Sequence, residues 1–212
     1  MSPTLEETLS MAQDSHAQGG AAQMPEVAVQ RTDDAFDRIA SGLYGLASML
    51  VGEGEESAEV VEKTIATADL DCCCNVEQAR KNSYKALAAA AFDSLERRRP
   101  GSLAAPEGIE TDDVCIEDDE LESAGISGKE LEQMMAGPEC DRVRQWLEKL
   151  PIAQRTVFVL RGVAGLSAVE TADLLKASGA PGAGGWSREA VREIFRLGLC
   201  SLASQLLHAR GA

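Results

Sequence analysis

The sequence predicts an all-α fold, and three observations indicate it. Apolar residues recur at steps of three and four along most of the 212-residue chain, which is the period of an amphipathic helix. No stretch alternates apolar and polar residues in the way that a half-buried strand does. Serine, aspartate or proline precedes several apolar runs, and glycine-rich segments separate them, as expected at helix starts and ends.

Residues 33–69 predict two helices, with the turn Gly52–Glu55 between them. Asp33 or Asp34 is placed to cap the first helix. The predicted inward positions of that helix are Phe36, Ile39, Leu43, Leu46 and Leu50. Those of the second helix are Ala58, Val61, Ile65 and Ala68. Residues 1–30 are polar and weakly periodic, and we interpret them as a disordered extension.

A third helix is predicted over Glu77–Arg99, and Pro100–Gly101 ends it. Its predicted buried stripe comprises Tyr84, Leu87, Ala88, Ala91, Phe92 and Leu95. The basic residues near its two ends are Arg80, Lys81 and Lys85 at the start and Arg97, Arg98 and Arg99 at the end. The terminal arginines complement the negative end of the helix dipole, so a purely structural role is open to them.

Residues 141–207 predict a group of helices that ends in a helix-turn-helix. Pro151 precedes one helix, and Ser167 with Glu170 forms a capping box for the next. The apolar positions up to this point are Leu147, Leu150, Val157, Leu160, Val163, Leu166, Ala172, Leu174 and Leu175. A longer helix follows Ser187, with Val191, Ile194, Phe195, Gly198, Leu199 and Leu202 as its apolar positions. A short helix, a turn and a longer helix with outward arginines is the plan of a helix-turn-helix.

The longer helix carries Arg188, Arg192 and Arg196 four residues apart, which places them on one face. Such a face can contact a DNA groove or its phosphates, and the alternative is an ordinary solvated helix face. The preceding segment Ser178–Gly185 is longer than the three or four residues usual in this motif. Its glycine content predicts a loose turn.

Charge is distributed unevenly along the chain, whose net charge is −15. It amounts to −4 over residues 1–30, −4 over residues 31–100, −11 over residues 101–140 and +4 over residues 141–212. A general nucleic-acid binder is usually basic, so the total argues against that class. We interpret residues 101–140 as an acidic linker that repels itself and extends. The mildly basic last segment is compatible with DNA binding.

Catalytic, metal-binding and membrane functions are not indicated. Cys72, Cys73 and Cys74 are adjacent rather than spaced as zinc ligands, and His16 and His208 lie near opposite ends. A structural role for these cysteines is favoured over a redox-sensing thiol. Phosphate-loop and imidazole-based nucleophile patterns are missing, so we predict no enzyme and no cofactor. Without a signal peptide or an apolar run near ~20 residues, we expect a cytoplasmic protein with reduced thiols.

The segment LEKLPIAQRTVFVLRGVAGLSAVETADLL, residues 147–175, resembles the C-terminal DNA-binding region of bacterial RNA polymerase sigma factors of the extracytoplasmic-function type. The resemblance is carried by LP, QR, VFxLR, GLS and ExA in that order. SAEVV and FDSLERRR are similar to parts of the N-terminal domain of the same family. The resemblance implies two helical domains, residues 31–100 and 141–212, joined by a linker that threads the polymerase cleft.

The resemblance also implies partners and sites. The partners are RNA polymerase core and promoter DNA, and the family allows an anti-sigma factor. The residues implied to contact polymerase are Glu59, Glu62 and Lys63. Those implied at the −10 element are Lys81, Tyr84, Lys85, Arg97, Arg98 and Arg99. Those implied at the −35 element are Arg188, Arg192 and Arg196.

The chain departs from the family pattern in both domains. Asn82 and Ala89 stand at about the places where the family has a tryptophan and an asparagine for promoter opening. Ile194 and Leu197 stand where the family tends to have basic residues. Three hypotheses follow: a sigma factor, a sigma-like protein that binds polymerase or a partner without efficient promoter opening, and a helix-turn-helix regulator with a sensing N-terminal half.

Overall fold

The computed structural model describes residues 40–67, 76–108, 116, 120–121 and 140–209, and every regular element among them is helical. The helices, numbered in chain order, are α1 (residues 40–51), α2 (Glu55–Thr67), α3 (Val76–Arg98), α4 (Cys140–Lys149), α5 (Ile152–Phe158), α6 (Ala168–Ala177) and α7 (Arg188–Ala209). A π-helical turn, Val159–Val163, continues α5, and a 3-10 turn, Ala183–Gly185, lies between α6 and α7. The predicted all-α class is therefore confirmed for the described residues.

Several predictions concern residues outside the described ranges. They are the extension 1–30, the caps Asp33 and Asp34, the apolar positions Phe36, Ile39 and Ala68, and Cys72, Cys73 and Cys74. Much of the predicted linker 101–140 also lies outside them. The described helices all belong to one compact unit, Arg38–Ala212. The predicted division of this unit at residues 100 and 140 stays a prediction.

Helices α1 and α3 bury the stripes that their periodicity predicts. On α1 these residues are Leu43, Leu46 and Leu50. On α3 they are Tyr84, Leu87, Ala88, Ala91, Phe92 and Leu95. Alanine dominates the middle of α3, so the helix can lie close to its neighbours while keeping a high helix propensity. Helix α2 packs against α3, and the Ser94 hydroxyl of α3 hydrogen-bonds to the Glu56 carboxylate of α2.

The inward face of α2 is rotated by one residue from the prediction, which was wrong here. The structure buries Ser57, Val60 and Thr64. Of the predicted inward residues, Val61 is half-buried and packs against the core, whereas Ala58 and Ile65 are exposed. Both buried hydroxyls are satisfied within the helix: Ser57 Oγ donates to the Gly54 carbonyl at 2.8 Å and Thr64 Oγ1 to the Val60 carbonyl at 2.7 Å. Burial of a hydrogen-bonded hydroxyl costs little, so polarity alone does not define the buried face. Ile65 is left 43% exposed.

Helices α4 to α7 enclose an aromatic group. The Trp146 and Phe158 rings meet edge to face with centroids 4.8 Å apart, and Phe158 lies 5.8 Å from Phe195. Gly198 of α7 permits this contact, because a Cβ at that position would come within 2.9 Å of the Phe158 ring. Ile194, one of the departures from the family pattern, is a core residue at 1% exposure.

The starts of α5, α6 and α7 follow their sequence signals. Pro151 immediately precedes α5. Ser167 caps α6 in a complete capping box, with its side chain accepting from the Glu170 N–H and the Glu170 side chain accepting from the Ser167 N–H. Ser187 precedes α7, and its hydroxyl accepts the Ala190 N–H at 3.1 Å. Cys200 of α7 forms a disulfide bond, so the predicted reduced state is wrong for this residue.

The segment between α6 and α7 is ordered, whereas its glycine content predicts looseness. The Ser178 hydroxyl ends α6 by donating to the Leu175 carbonyl at 2.6 Å and accepting the Ala180 N–H at 3.2 Å. Ala183 and Trp186 are buried at 1% exposure each. The turn is therefore held by its own hydrogen bonds and by two buried side chains.

Part of the predicted solvated linker is packed into the core. Leu103 and Leu121 are both fully buried, and Ile116 packs against the same core. Burial of these leucine and isoleucine side chains stabilises the packing by about 25 cal/mol per Å² of apolar area removed from water. The prediction of a wholly solvated segment is wrong at these described positions.

Candidate nucleic-acid interface

The arginines at the end of α3 are exposed, but one of them also stabilises the fold. Arg97, Arg98 and Arg99 are all exposed. Arg98 donates to the Val51 carbonyl at 3.1 Å and lies 2.8 Å from the Glu56 carboxylate. Val51 is the last residue of α1, so this guanidinium covers the negative end of that helix. The structural alternative is thus realised for Arg98, while Arg97 and Arg99 present charge to solvent.

The lysines near the start of α3 converge on one carboxylate. Lys85 Nζ donates to Glu170 Oε1 at 2.7 Å, and Lys81 Nζ lies 3.9 Å from Glu170 Oε2. Glu170 belongs to α6, so this contact joins α3 to the capped helix of the predicted helix-turn-helix. Hydrogen bonds from Lys85 and then from the Ser167 N–H lower the pKa of the Glu170 carboxyl from 4.5 to about 2. It is therefore ionised at neutral pH.

Tyr84 faces the interior of the N-terminal helices. Its side chain is 7% exposed, and burial raises the pKa of its phenol. The hydroxyl lies beside α1, where a Cβ on Gly42 would come within 2.9 Å of it. The Arg80 guanidinium lies 5.9 Å from the ring centroid. Stacking of an unpaired base needs an accessible ring face, which Tyr84 does not offer in this conformation.

The arginines of α7 do not share one exposed face. Arg188 is exposed, Arg192 is half-buried, and Arg196 is 6% exposed with its Nη1 2.8 Å and 2.9 Å from the two Glu193 carboxylate oxygens. At 3.6 residues per turn, each step of four residues advances the side chain by about 40° beyond a full turn. Two such steps bring Arg196 towards the packed side. The predicted face is therefore wrong for Arg196.

The residues proposed by resemblance for polymerase contact lie on the outer side of α2. Glu59, Glu62 and Lys63 are exposed. Lys63 Nζ lies 2.6 Å from Asp93 Oδ2 on α3, in a pair whose side chains are 52% and 60% exposed. These residues are accessible to a large partner surface.

The predicted site residues form separate clusters. Lys81 and Lys85 meet at Glu170, whereas the terminal arginines begin 12 residues further along α3, about 18 Å away along the helix axis. Asp93 links the α2 set to the end of α3, because its carboxylate pairs with Lys63 and its carbonyl accepts from Arg97 Nε at 3.3 Å. A duplex would therefore have to cover more than one surface to engage both ends of α3.

Two residues of the site have no separate signal in the sequence analysis. Arg144 of α4 lies 2.8 Å from the Glu53 carboxylate in the turn between α1 and α2. Arg155 of α5 has a lowered pKa, first because of burial and second because the Arg98 charge is nearby. One basic residue of the C-terminal helices thus lies near the arginines that end α3, and another lies at the turn between α1 and α2. The acidic turn Gly52–Glu55 was the sole sequence hint of this arrangement.

The second role of Glu170 follows from carboxylate chemistry. A capping box uses one of its oxygens, but an ionised carboxylate has about four acceptor sites. The oxygen left over is the one that receives Lys85. Capping was predictable from four consecutive residues, whereas a partner 85 residues away was not.

The exposed cations of the site are suited to anion binding. In the described ranges, no group of three histidine, cysteine, aspartate or glutamate residues is placed to hold a metal ion. Within the same part of the chain, none of the helices combines the length and the apolar character that crossing a bilayer requires. Exposed cations on α3 and α7 can contact phosphate oxygens.

Comparison of the chain with family models, with curated proteins and with solved structures gives no match.

Proposed function

We propose that this protein is a sigma factor of the extracytoplasmic-function type, which directs RNA polymerase core to promoters in the cytoplasm. The observation that carries the proposal is the ordered motif in residues 147–175, in which LP, QR, VFxLR, GLS and ExA occur within 29 residues. A chance match to one dipeptide is common. Five elements in the family's order and spacing form a far more specific signal.

The geometry of the C-terminal helices supports the proposal. Helix α6 packs on α7, its start is fixed by a capping box, and α7 carries Arg188 and Arg192 outside the core. Recognition helices contact DNA through residues of their N-terminal part, which is where these two arginines lie. Glu59, Glu62 and Lys63 on α2 are exposed for polymerase contact, as the N-terminal resemblance implies.

A second candidate is a sigma-like protein that binds polymerase but opens promoters poorly. Tyr84, the aromatic side chain nearest to the position expected for base stacking, is 7% exposed and is packed against α1. Loss of base stacking removes about 1–3 kcal/mol per base from strand opening. This observation favours the second candidate over a complete initiation factor.

The test is run-off transcription with sigma-free core polymerase on genomic promoter fragments, combined with a co-elution assay. Specific transcripts support the sigma factor. Co-elution with core but no transcripts supports the second candidate. DNA binding without affinity for core supports the helix-turn-helix regulator instead. A chain that neither co-elutes at low salt nor binds DNA contradicts all three.

Variants of α7 locate the DNA contact. Arg188→Ala combined with Arg192→Ala should weaken binding and reduce the slope of log affinity against log salt by about 2, because each phosphate contact adds about 0.9. Lys149→Ala is the control, since it removes one exposed cation at the end of α4. An unchanged salt slope in the double variant would exclude α7 as the phosphate-binding element.

A further inference from the structure

The residues that follow α3 lie on the turn between α6 and α7. Leu103 is fully buried, and its carbonyl accepts the Trp186 indole N–H at 2.8 Å. Two residues later, the Ala105 N–H donates to the Gly182 carbonyl at 3.2 Å. We call residues 103–105 the strap and residues 182–186 its seat. The strap thus connects the end of α3 directly to the predicted helix-turn-helix.

Glycine in the seat is required by the strap. Gly182 has φ +79°, and a Cβ there would come within 2.8 Å of the Ala104 Cβ. A Cβ on Gly185 would lie 3.2 Å from the Ala105 Cβ. The glycines in this part of the turn are therefore places of close approach by another segment. Gly179 in the same turn has φ +66° but has no such neighbour within 4 Å.

Glu96 near the end of α3 fixes the direction of the strap. Its two carboxylate oxygens accept the Gly101 N–H at 2.8 Å and the Leu103 N–H at 3.0 Å. The Ser102 hydroxyl also donates to this carboxylate at 3.3 Å. Because backbone groups on both sides of the turn share one carboxylate, Leu103 leaves α3 in a defined direction and enters the seat.

A second contact between the same two parts of the chain is ionic. Lys85 of α3 donates to Glu170 of α6, with 33% and 29% of the two side chains exposed, and Lys81 lies 3.9 Å from the same carboxylate. An ion pair with this exposure contributes little to stability and weakens with salt. It nevertheless neutralises the lysines at the start of α3 and places a carboxylate where phosphate oxygens would approach.

We propose that the strap on its seat and the Lys85–Glu170 pair together form an autoinhibitory latch. It holds α3 against α6 and competes with DNA for Lys81 and Lys85. The inference rests on the proposed function, since it assigns those lysines to DNA. Lys81 and Lys85 are then available to DNA only in the fraction of molecules that are open, so their contribution to the apparent affinity falls with that fraction, while the α7 arginines outside the core contact DNA in either state.

Two variants open the latch by different routes, and each has a matched control. Gly182→Ala introduces a Cβ against Ala104, and Gly179→Ala is its control with positive φ but no clash. Glu170→Gln removes the charge that holds Lys85 yet keeps a residue that completes a capping box. Its control is Asp93→Asn, which changes the net charge by the same amount and releases Lys63. The Lys63–Asp93 pair joins α2 to α3 and is not part of the latch. Far-UV circular dichroism verifies the fold of each variant.

The first measurement reports whether the latch has opened. The chain has two tryptophans, so its indole N–H signals are resolved by NMR with 15N labelling. The Trp186 indole N–H donates to the strap, whereas that of Trp146 donates to the Ser201 hydroxyl and is the internal reference. Gly182→Ala should accelerate hydrogen exchange at Trp186 and leave Trp146 unchanged. Ala104→Gly in the same chain should restore slow exchange.

The second measurement is affinity for a fluorescein-labelled DNA duplex of mixed sequence at low salt. Gly182→Ala and Glu170→Gln should each tighten binding, with about fivefold or more for their combination, while the two controls stay close to wild type. Faster Trp186 exchange with unchanged duplex affinity overturns the latch, as does unchanged exchange in Gly182→Ala. If opening the latch tightens DNA binding but the run-off assay gives no transcripts, the latch is supported and the sigma factor is contradicted. If transcripts form but DNA affinity is the same in the latch variants and the wild type, the sigma factor is supported and the latch is contradicted.

Discussion

Two glycine-rich turns of this protein look alike in sequence and differ in structure. The turn Gly52–Glu55 separates α1 from α2, and the longer segment Ser178–Gly185 separates α6 from α7. Gly54 has φ +113° and no atom within 4 Å of an added Cβ, whereas Gly182 has φ +79° and would meet Ala104 at 2.8 Å. The first turn needs glycine only for its backbone angle. The second needs it also because another segment lies there.

The two turns are also held by different forces. Charged partners surround the first, with Arg144 paired to Glu53 and Arg98 paired to Glu56, both at 2.8 Å. The second is held by buried Trp186 and Leu103 and by backbone hydrogen bonds to the strap. Exposed ion pairs contribute roughly 0–1 kcal/mol each, whereas buried aromatic area contributes more. A substitution at the second turn should therefore cost more.

The largest expected effect is at Gly182. Gly182→Ala should lower the free energy of unfolding by about 2–5 kcal/mol, from backbone strain of roughly 1–2 plus overpacking of roughly 1–3. Gly54→Ala, which meets no neighbouring atom, should lose only the backbone strain of a sparsely populated conformation, about 1–3 kcal/mol. Urea denaturation of both variants measures the difference. Equal losses at the two positions would erase the distinction between the turns, and Ala104→Gly should recover part of the loss only in the Gly182 variant.

A smaller effect is expected at Trp186. Trp186→Phe keeps most of the apolar area but leaves the buried Leu103 carbonyl without its indole donor, at a cost of about 1–2 kcal/mol. Trp146→Phe serves as the comparison, because its acceptor is a hydroxyl that can turn to another partner. Thermal denaturation should therefore place the Trp186 variant below the Trp146 variant. The opposite order would mean that the strap contributes little to holding the second turn.

The smallest expected effect is the loss of stability at acid pH that comes from the Lys85–Glu170 pair of the latch. The folded pKa of Glu170 is about 2, below its ordinary 4.5, so its stabilising contribution is complete above pH 4.5 and is lost as pH falls towards 2. Because the pair is partly exposed, we expect at most about 1 kcal/mol. Lys85→Met removes the largest cause of the shift. Chemical denaturation across this pH range should show a shallower acid loss for Lys85→Met than for wild type, with Lys63→Met unchanged in slope.

The helices were predictable because their signals are local. The capping box at Ser167, the proline before α5 and the apolar stripes of α1, α3 and α7 each depend on residues within one or two turns. The face of α2 was missed because Ser57 and Thr64 satisfy their hydroxyls on their own helix and so behave as buried residues. Hydrophobic periodicity depends only on residue types, so it does not detect polar side chains whose hydrogen bonds allow them to be buried.

The site was predictable only in part, for two physical reasons. Helical drift turns Arg196 away from Arg188, although a spacing of four suggests a shared face. The contacts of Lys85 with Glu170 and of Leu103 with Trp186 join residues 85 and 83 positions apart. Such pairs depend on how helices pack, and a single sequence holds no local trace of them.

The hydrogen bonds from the Gly101 and Leu103 N–H groups to the Glu96 carboxylate restrict how this segment can vary in length. From Glu96 to Ala105 the backbone is anchored at both ends, by a carboxylate at one and by the Gly182 carbonyl at the other. Adding or deleting one residue in this segment would move the Ala104 and Ala105 methyl groups away from Gly182 and Gly185, which they contact. Related chains should therefore keep this spacing constant, even where their acidic segments differ in size.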